Sequence, residues 1–345
     1  MIEMVELRDL SGRDYIAPEL EWTREEYDLL LDLAFEFKKR KARGERPELL
    51  RGKTLFQILY TGTLRTRTGL AAAMTQLGGH SEIVPPGGHG GEAVKDLTRC
   101  LNTYGDAIAA RVFGEQFGYH YGKGNELIRE MARWADIPVI NMECDMFHPH
   151  EPLEELMTIK DRLGSFKNLK VVYSWAYAPS VWKPVSIPQS LILAWTKYGM
   201  EVTLAHPPGF DLDPVILKEC KKNADRYGGS FEITHDMDKA VEGADVVNAK
   251  AYHSLSLCPP KVPQFNEEKM KEVFNKHKDW IMDERKLDKM SKRGVYIHCL
   301  PVDRGFEATD EVVDGSRSAI WTNQEERIHA KKAILVSVMG ITPQY

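Results

Sequence analysis

Apolar and polar positions alternate along the chain in blocks that predict strands followed by helices. Near the N-terminus, apolar side chains recur at helical spacing between residues 22 and 37, and Thr23 with Glu26 three positions later is typical of a capping box. The apolar run 55–60 then predicts a buried strand. Small residues that favour helices at 69–74 predict the helix that follows it.

The same alternation continues to the end of the chain. Further strands are predicted at 80–84, 106–111, 137–142, 169–175, 201–205, 231–234, 244–250 and 295–297, and further helices at 92–104, 123–134, 153–163, 189–198 and 214–227. Strands that alternate with helices predict parallel sheets with helices packed on them. Because a chain of 345 residues is long for one core, we expect two α/β domains.

Composition excludes several classes of protein. The formal charge is −5, with acids and bases spread throughout, which argues against a nucleic-acid-binding face. Apolar runs are too short to span a membrane, and residues 1–10 carry acids rather than the pattern of an export signal. The five cysteines are dispersed and lack metal-ligand spacing, so we expect a cytoplasmic protein without disulfides.

Segment 60–68 combines a strand end, a glycine, hydroxyl groups and two arginines. A tight turn at Gly62 would bring an anion to the free N–H groups and positive dipole end of the following helix. Thr63 and Thr66 add hydroxyl groups, and Arg65 and Arg67 add charge suited to phosphate. A capped helix with two solvated arginines is the alternative. The segment matches neither a Walker loop nor a dinucleotide-binding turn.

Three other segments have unusual compositions. The proline- and glycine-rich loop 85–91 is either a hinge that closes over a ligand or a long surface connection. Segment 143–152 holds two histidines and three carboxylates, but their spacing fits no standard zinc pattern, and no metal site is predicted. Loop 176–188, with three prolines and two large aromatic residues, is expected to be stiff and packed against protein.

Four motifs resemble those of the aspartate/ornithine carbamoyltransferase family and occur in the family's order. Thr-Leu-Arg-Thr-Arg at 63–67 resembles its Ser-x-Arg-Thr-Arg motif, and His148-Pro149 resembles the start of its His-Pro-x-Gln motif. His-Cys-Leu-Pro at 298–301 is similar to a marker of the ornithine-type branch, and 325–329 resembles the C-terminal Glu-Asn-Arg-x-His helix. The resemblance extends from about residue 21 to residue 340.

The resemblance implies an α/β fold with two doubly wound parallel-sheet domains. Residues 1–150, with a C-terminal helix at 322–345 that returns to them, would bind carbamoyl phosphate, and residues 151–321 would bind the amine. Loop 176–188 and Lys250-Ala251-Tyr252 resemble the knotted subgroup that contains N-acetylornithine carbamoyltransferase. This likeness implies a trefoil knot in the second domain, an exception to the usual absence of knots.

The resemblance also implies a role for each motif residue. Phosphate would be bound by the turn and the helix start, namely Thr63, Leu64, Arg65, Thr66 and Arg67. The carbamoyl oxygen would contact Thr66, Arg111 and His148, and the carbamoyl NH₂ group would contact Cys299, Leu300 and Arg327. The catalytic set is Arg111, His148, Cys299 and Arg327. The second substrate would contact Glu143, Lys250, Tyr252 and Leu300. No metal or organic cofactor is implied.

The chain departs from the family at three places. Glu151 occupies the position of the family's glutamine and so belongs to the carbamoyl-phosphate-binding set that the resemblance implies, but an ionised glutamate would repel phosphate unless it were paired or protonated. Either a cation such as His89 or His150 pairs with Glu151, or Glu151 retains a proton, or it faces the second substrate, which we favour.

His89 is the nearest substitute for the lysine of a loop that enters the neighbouring subunit's site in the family, which implies a homotrimer. Ala178-Pro179 replaces the His-Pro of the acetylornithine enzymes, which argues against acetylornithine as the substrate.

The function implied is transfer of the carbamoyl group from carbamoyl phosphate to the amine of a small, amino-acid-like substrate. The partners are therefore small molecules, and no nucleic acid or membrane is expected. Two alternatives stay open. One is phosphorolysis of a ureido compound to carbamoyl phosphate by the same site. The other is a non-catalytic relative that binds an anion or a partner in the cleft, an alternative motivated by Glu151 and the absent lysine.

Overall fold

The computed structural model describes residues 9–87 and 91–341. Within these ranges the chain divides into two compact units. The first unit includes the chain up to Phe117, residues Gly122–Glu154 and the chain from Glu325 onward. The second unit includes Gly118–Tyr121 and Glu155–Gln324.

A parallel sheet of four strands forms the centre of the first unit. Its strands are β1 (Thr54–Leu59), β2 (His80–Val84), β3 (Ala107–Val112) and β4 (Val139–Cys144), in the order β2-β1-β3-β4. The helices that accompany it are α1 (Pro18–Glu21), α2 (Arg24–Ala42), α3 (Arg65–Gln76), α4 (Val94–Tyr104) and α5 (Lys123–Trp134), with a 3₁₀ turn at Glu115–Phe117. Every residue of the edge strand β4 is buried, whereas the opposite edge strand β2 is largely accessible.

The second unit contains a parallel sheet of five strands. They are β5 (Lys170–Ser174), β6 (Glu201–Ala205), β7 (Ser230–Thr234), β8 (Val246–Ala249) and β9 (Val295–Ile297), in the order β7-β6-β5-β8-β9. Its helices are α7 (Ser186–Lys197), α8 (Pro214–Tyr227), α9 (Met237–Ala240), α10 (Glu267–Phe274), α11 (Glu284–Lys289) and α12 (Asp310–Asp314), and its 3₁₀ turns are Leu255–Leu257 and Asn275–His277. All twelve positions of α7 are buried, so this helix belongs to the core of the unit.

Two helices contribute residues to both units. They are α6 (His150–Leu163) and α13 (Ile320–Met339). The final turn of α13 is tied to the first unit, since the N–H of Gly12 donates to the carbonyl of Val338 at 2.8 Å. The predicted α/β architecture with two parallel sheets and a C-terminal helix that contacts the first domain is therefore confirmed. In the ranges that the structure describes, no helix has the length and apolar character needed to cross a membrane.

Local sequence signals fix many of the element boundaries. Thr23 and Glu26 form the predicted capping box of α2, with each side chain accepting from the other residue's N–H. Helix α8 begins where predicted because Asp213 caps it, with Pro214 in its first turn, and it ends at Gly228, which has a φ of 76°.

Three helix starts were predicted too late, including that of α7, which begins at Ser186 rather than at residue 189. Helix α3 begins at Arg65 rather than at residue 69, and α6 begins at His150 rather than at residue 153. In α3 the Thr68 hydroxyl donates to the Leu64 carbonyl at 2.7 Å, a bond to the preceding turn that suits a hydroxyl residue inside a helix. The residues after Leu64 of the Thr-Leu-Arg-Thr-Arg motif therefore lie in a helical turn.

Candidate active site

The first turn of α3 directly follows the loop at the end of β1. Leu64 occupies the N-cap position, and among the described residues no side chain caps this helix end. The N–H groups of the first turn and the positive end of the helix dipole are thus available to an anion. Thr66 is buried, whereas Arg65 and Arg67 are partly exposed. Backbone donors and two guanidinium groups thus share one helix end.

Arg111, near the end of β3, connects that strand to β4 and to the loop before α3. Its Nε donates to Oε2 of Glu143 at 3.1 Å, and its Nη1 donates to the carbonyl of Gly62. The guanidinium also lies 4.6 Å from the ring centroid of Phe113. These contacts hold a positive charge beside the start of α3.

His148 lies between two carboxylates of the first unit. Its Nε2 is 3.6 Å from Oε2 of Glu143 and 3.4 Å from Oε1 of Glu151. Burial lowers the pKa of His148 to about 4, although the nearby carboxylates of Glu143 and Glu154 act in the opposite direction. The imidazole is therefore neutral at pH 7 and can donate one N–H.

Glu151 is buried and paired with Arg327. Nη2 of Arg327 lies 3.0 Å from Oε1 and 2.7 Å from Oε2 of this carboxylate. The cation that offsets Glu151 is thus Arg327, rather than His89 or His150 as considered from the sequence. His89 lies outside the described residues. His150 is buried, and within the described chain neither of its ring nitrogens has a hydrogen-bond partner.

Glu154 and Lys331 extend this ion pair, and the sequence analysis assigned a role to neither. Nη1 of Arg327 lies 3.1 Å from Oε2 of Glu154, whose other oxygen accepts from Nζ of Lys331. Both residues are completely buried. Helical spacing places Glu154 on the same face as Glu151 and Lys331 on the same face as Arg327, but it does not reveal that the two faces pair with each other.

In the second unit, the His-Cys-Leu-Pro segment forms a turn after β9. Leu300 has a φ of 58°, and its N–H donates to Nδ1 of His298 at 3.0 Å. Since Nδ1 accepts, the neutral ring carries its proton on Nε2, which lies 3.3 Å from Oε2 of Glu307. Burial, with a smaller effect of Lys250, lowers the pKa of His298 to about 4. Cys299 is buried in this turn.

Glu307 joins three segments of the second unit, and sequence analysis did not identify it. Its carboxylate accepts from the N–H of Ala251 at 2.9 Å and from the N–H of Asp303 at 2.8 Å, and Nζ of Lys183 lies 3.0 Å away. Burial would raise its pKa, but Lys250, His298 and Lys183 hold the pKa well below its ordinary value. Lys183 could have been noticed as the single charged residue of loop 176–188.

The structure places the two remaining residues of the predicted second-substrate set in different surroundings. Nζ of Lys250 donates to the carbonyl of Pro301 at 3.1 Å and lies 3.8 Å from Glu307. Tyr252 is completely buried, and its hydroxyl donates to the carbonyl of Phe210 at 3.1 Å. The ammonium group of Lys250 therefore belongs to the Glu307 network, whereas Tyr252 packs in the interior.

The predicted site residues thus form one cluster in each unit. The first unit brings together the start of α3 and the cluster of Arg111, Glu143, His148, Glu151 and Arg327. The second unit brings together Lys250, Cys299 and Leu300 around the turn after β9. In the part of the chain that the structure describes, no three histidine, cysteine or acidic side chains are grouped so as to hold a metal ion.

Two family models together match most of the chain. The carbamoyl-P binding domain of aspartate/ornithine carbamoyltransferase matches residues 15–161. The Asp/Orn binding domain of the same enzymes matches residues 169–338. The first match contains the α3 motif and most of the charged cluster, and the second contains the turn after β9.

Individual relatives match at similar length. The anabolic ornithine carbamoyltransferase of Pyrococcus furiosus is 35% identical over 334 residues, which cover 96% of this chain and 98% of that protein. The N-acetylornithine carbamoyltransferase of Xanthomonas campestris pv. campestris is 32% identical and covers 93% of this chain and 96% of that protein. A crystal structure of acetylornithine transcarbamylase complexed with acetylcitrulline superposes with a TM-score of 0.86 at 30% identity, over 95% of this chain and 99% of that chain.

Proposed function

Because this chain belongs to the aspartate/ornithine carbamoyltransferase family, we propose that its first unit binds carbamoyl phosphate and its second unit binds the amine. The enzyme transfers the carbamoyl group of carbamoyl phosphate to an ornithine-like amine. The proposed domain boundaries are residues 1–150 with 322–345, and residues 151–321. We also propose a cytoplasmic location, on the basis of the composition and the dispersed cysteines.

The phosphate group of carbamoyl phosphate is proposed to lie at the first turn of α3. The N–H groups of the turn would donate to its oxygens, with the hydroxyl groups of Thr63 and Thr66 beside them. Arg65 and Arg67 would supply charge-assisted hydrogen bonds. The single observation that carries the proposal is that this helix end, which no side chain of residues 9–87 or 91–341 caps, shares one unit with Arg111 and His148.

The carbamoyl carbon is the site of reaction. The amine attacks this carbon, a tetrahedral oxyanion forms, and the bond to phosphate breaks. In the proposed arrangement, Arg111, Thr66 and the neutral N–H of His148 stabilise the developing oxyanion. Fixed donors suit this task because they need no reorganisation when charge develops. Cys299, the carbonyl of Leu300 and Arg327 would contact the NH₂ group.

Lys250 is proposed to bind a carboxylate of the second substrate. Its ammonium group is held near Glu307 and the Pro301 carbonyl, so its position is defined before the substrate arrives. Glu143 and Tyr252 remain in the proposed second-substrate set. Ala178-Pro179 argues against acetylornithine, so we propose an amino acid whose α-amino group carries no acetyl group.

A trefoil knot in the second domain is also proposed. Two contacts support the knot, since both connect loop 176–188 to a later segment of the same unit. The N–H of His253 donates to the carbonyl of Lys183 at 2.9 Å, and the rings of Trp182 and Phe265 stack with centroids 4.9 Å apart. Backbone tracing in an experimental structure would test the knot.

We further propose a homotrimer in which loop 85–91, including His89, completes a neighbour's site. Sedimentation equilibrium at assay concentrations would report the mass of the active species. A monomer with full activity would rule the trimer out. Mixing Arg65→Ala and His89→Ala subunits tests the sharing of sites, because hybrid trimers would regain complete sites and activity.

The substrate proposal is tested with a panel of ligands. Thermal stabilisation by carbamoyl phosphate and by inorganic phosphate is measured first, since a ligand that binds the folded state raises its stability. Amino acids, acylated ornithines, diamines and ureido compounds are then added in the presence of phosphate. The ureido compounds test phosphorolysis, the reverse direction at the same site. Stabilisation by acetylornithine but not by unacylated amines would contradict the proposed substrate.

A further inference from the structure

Four buried charges connect α6 to α13 inside the first unit. Glu151 and Glu154 lie on α6, and Arg327 and Lys331 lie one turn apart on α13. Each carboxylate contacts at least one of the two cations, and the formal charges sum to zero. A buried charge is tolerated when it is paired in this way.

The two carboxylates hold the Arg327 guanidinium at different nitrogens. Both oxygens of Glu151 contact Nη2 of Arg327, at 3.0 and 2.7 Å. Contact at one nitrogen leaves the guanidinium plane able to turn about that nitrogen. Oε2 of Glu154 lies 3.1 Å from Nη1, an ion-pair contact without hydrogen-bond geometry, and this attraction at a second nitrogen restricts the orientation of the planar group.

Lys331 accounts for the burial of Glu154. Its Nζ contacts Oε1, so the carboxylate of Glu154 is compensated even while its other oxygen is engaged with Arg327. The stem of Lys331 also packs under α3. A Cβ built on Gly69 would lie 2.8 Å from Cδ and 2.9 Å from Cε of Lys331.

We infer that Glu154 is a positioning residue for the transfer reaction, which orients the Arg327 guanidinium toward the carbamoyl group while Lys331 compensates its charge. The inference rests on the proposed role of Arg327. Glu154 itself is not proposed to touch substrate. Two effects are thereby separated: Glu154 sets the geometry of a reacting-site group, and Lys331 makes the buried carboxylate stable.

Two variants separate these effects. Lys331→Met keeps an unbranched stem beneath Gly69 and leaves Glu154 on Arg327, so kcat should stay within about threefold of wild type while thermal stability falls.

In the double variant Glu154→Leu/Lys331→Met, an apolar pair replaces the ion pair, an exchange that is often close to neutral for stability. Its kcat should fall about ten- to a hundredfold, because misplacement of a group by about 1 Å can cost that much. The KM for carbamoyl phosphate should change less than kcat, since phosphate is bound at α3.

A matched control lies one residue from Arg327 on the same helix. Glu326 is a buried carboxylate of α13, and it pairs with Lys38 of α2. The double variant Glu326→Leu/Lys38→Met should keep the kinetic constants of wild type. An equal loss of kcat in both double variants would overturn the inference, because any disturbance of α13 would then explain it.

Other outcomes are equally decisive. A stable Glu154→Leu/Lys331→Met enzyme with wild-type kcat would overturn the inference, and so would Lys331→Met with the large loss expected of the double variant. If the double variant does not fold, the kcat of Lys331→Met still tests the inference, because a large loss of kcat in that variant would overturn it. A wild-type enzyme without amine-dependent transfer would instead overturn the proposed function, so the two failures are distinguishable.

Discussion

Each of two arginines assigned to the carbamoyl group is held by a carboxylate of its own unit. Arg111 is bound by Glu143, and Arg327 is bound by Glu151 and Glu154. These pairings change the meaning of Glu151. A carboxylate that is offset by an arginine no longer repels phosphate as an isolated one would, so the substitution is compatible with the carbamoyl-phosphate site.

Arg65 provides a direct test of the phosphate assignment. We expect Arg65→Ala to leave the fold intact, because the side chain is partly exposed. A charge-assisted hydrogen bond to phosphate contributes roughly 1.5–3 kcal/mol, so affinity for carbamoyl phosphate should fall by about one to two decades. Calorimetric titration measures it. Arg51→Ala is the control, since that side chain is 79% exposed and outside the site. Unchanged phosphate affinity in folded Arg65→Ala would refute the assignment.

The variant Glu151→Gln should change amine preference more than phosphate affinity. Arg327 keeps its contact with Glu154 in this variant, so phosphate affinity should change less than about threefold. The amide contacts Arg327 more weakly than the carboxylate does, which shifts groups near the incoming amine. Titration with carbamoyl phosphate and kcat/KM across the amine panel are compared. A large gain in carbamoyl-phosphate affinity with unchanged amine preference would argue against this account.

Among single site residues, the sequence locates those that belong to a local motif and misses those that are defined by partners distant in the chain. Arg65 and His148 could be located because their motifs are contiguous. Glu154 and Glu307 could not, because each is defined by burial against cations far away in the chain. Tyr252 was assigned to the second substrate from its motif, but the motif does not reveal that its hydroxyl is bonded to the backbone carbonyl of Phe210.

Among the elements, α3 packs closely against a buried side chain of α13. Gly69 lies on the side of α3 that faces the stem of Lys331, whose Nζ is held by Glu154. A methyl group at position 69 therefore meets a side chain that cannot swing into solvent. This contact explains a glycine in a helix where alanine would have the higher intrinsic propensity.

Gly69→Ala should destabilise the first unit. Overpacking of a filled core typically costs about 1–3 kcal/mol, which exceeds the roughly 1 kcal/mol that alanine gains over glycine in a helix. Thermal unfolding of the variant is compared with that of Gly62→Ala, where an added Cβ meets nothing within 4 Å. A Gly69→Ala enzyme as stable as wild type would show that Lys331 yields easily.

The boundaries of a helix could be predicted where its capping residues and the spacing of its apolar positions indicate the same limits. Helix α8 has an aspartate cap, a proline in its first turn and a glycine at its end, and its limits match the prediction. The start of α3 was missed because hydroxyl and charged residues resemble a turn in sequence. Its first turn is compatible with such residues because Thr68 bonds to the preceding turn.

For the whole molecule, buried neutral histidines predict sensitivity to acid. Burial lowers the pKa of His148, His253 and His298 from 6.5 to about 4. Between these values the unfolded chain binds protons that the folded chain does not, so stability falls as pH decreases from about 6.5 to 4. Asp145 opposes this trend near the lower limit, because burial raises its pKa.

Melting temperatures at pH 7.5, 6 and 5 test this expectation. The melting temperature of the wild-type protein should fall as the pH decreases from 7.5 to 5. The fall should be smaller in His253→Gln, because one proton-binding group is removed from the unfolded chain. Equal melting temperatures at pH 7.5 and pH 5 would show that these histidines do not control acid stability.

We expect this molecule to transfer a carbamoyl group to an amine through the cluster of Arg111, Glu143, His148, Glu151 and Arg327 in its first unit. Phosphate release from carbamoyl phosphate tests this claim, followed with and without each amine of the panel and matched to formation of the ureido product. We predict amine-dependent release with equal amounts of both products, reduced strongly in Arg111→Ala. Phosphate release that no amine accelerates, or that persists in Arg111→Ala, would contradict the claim.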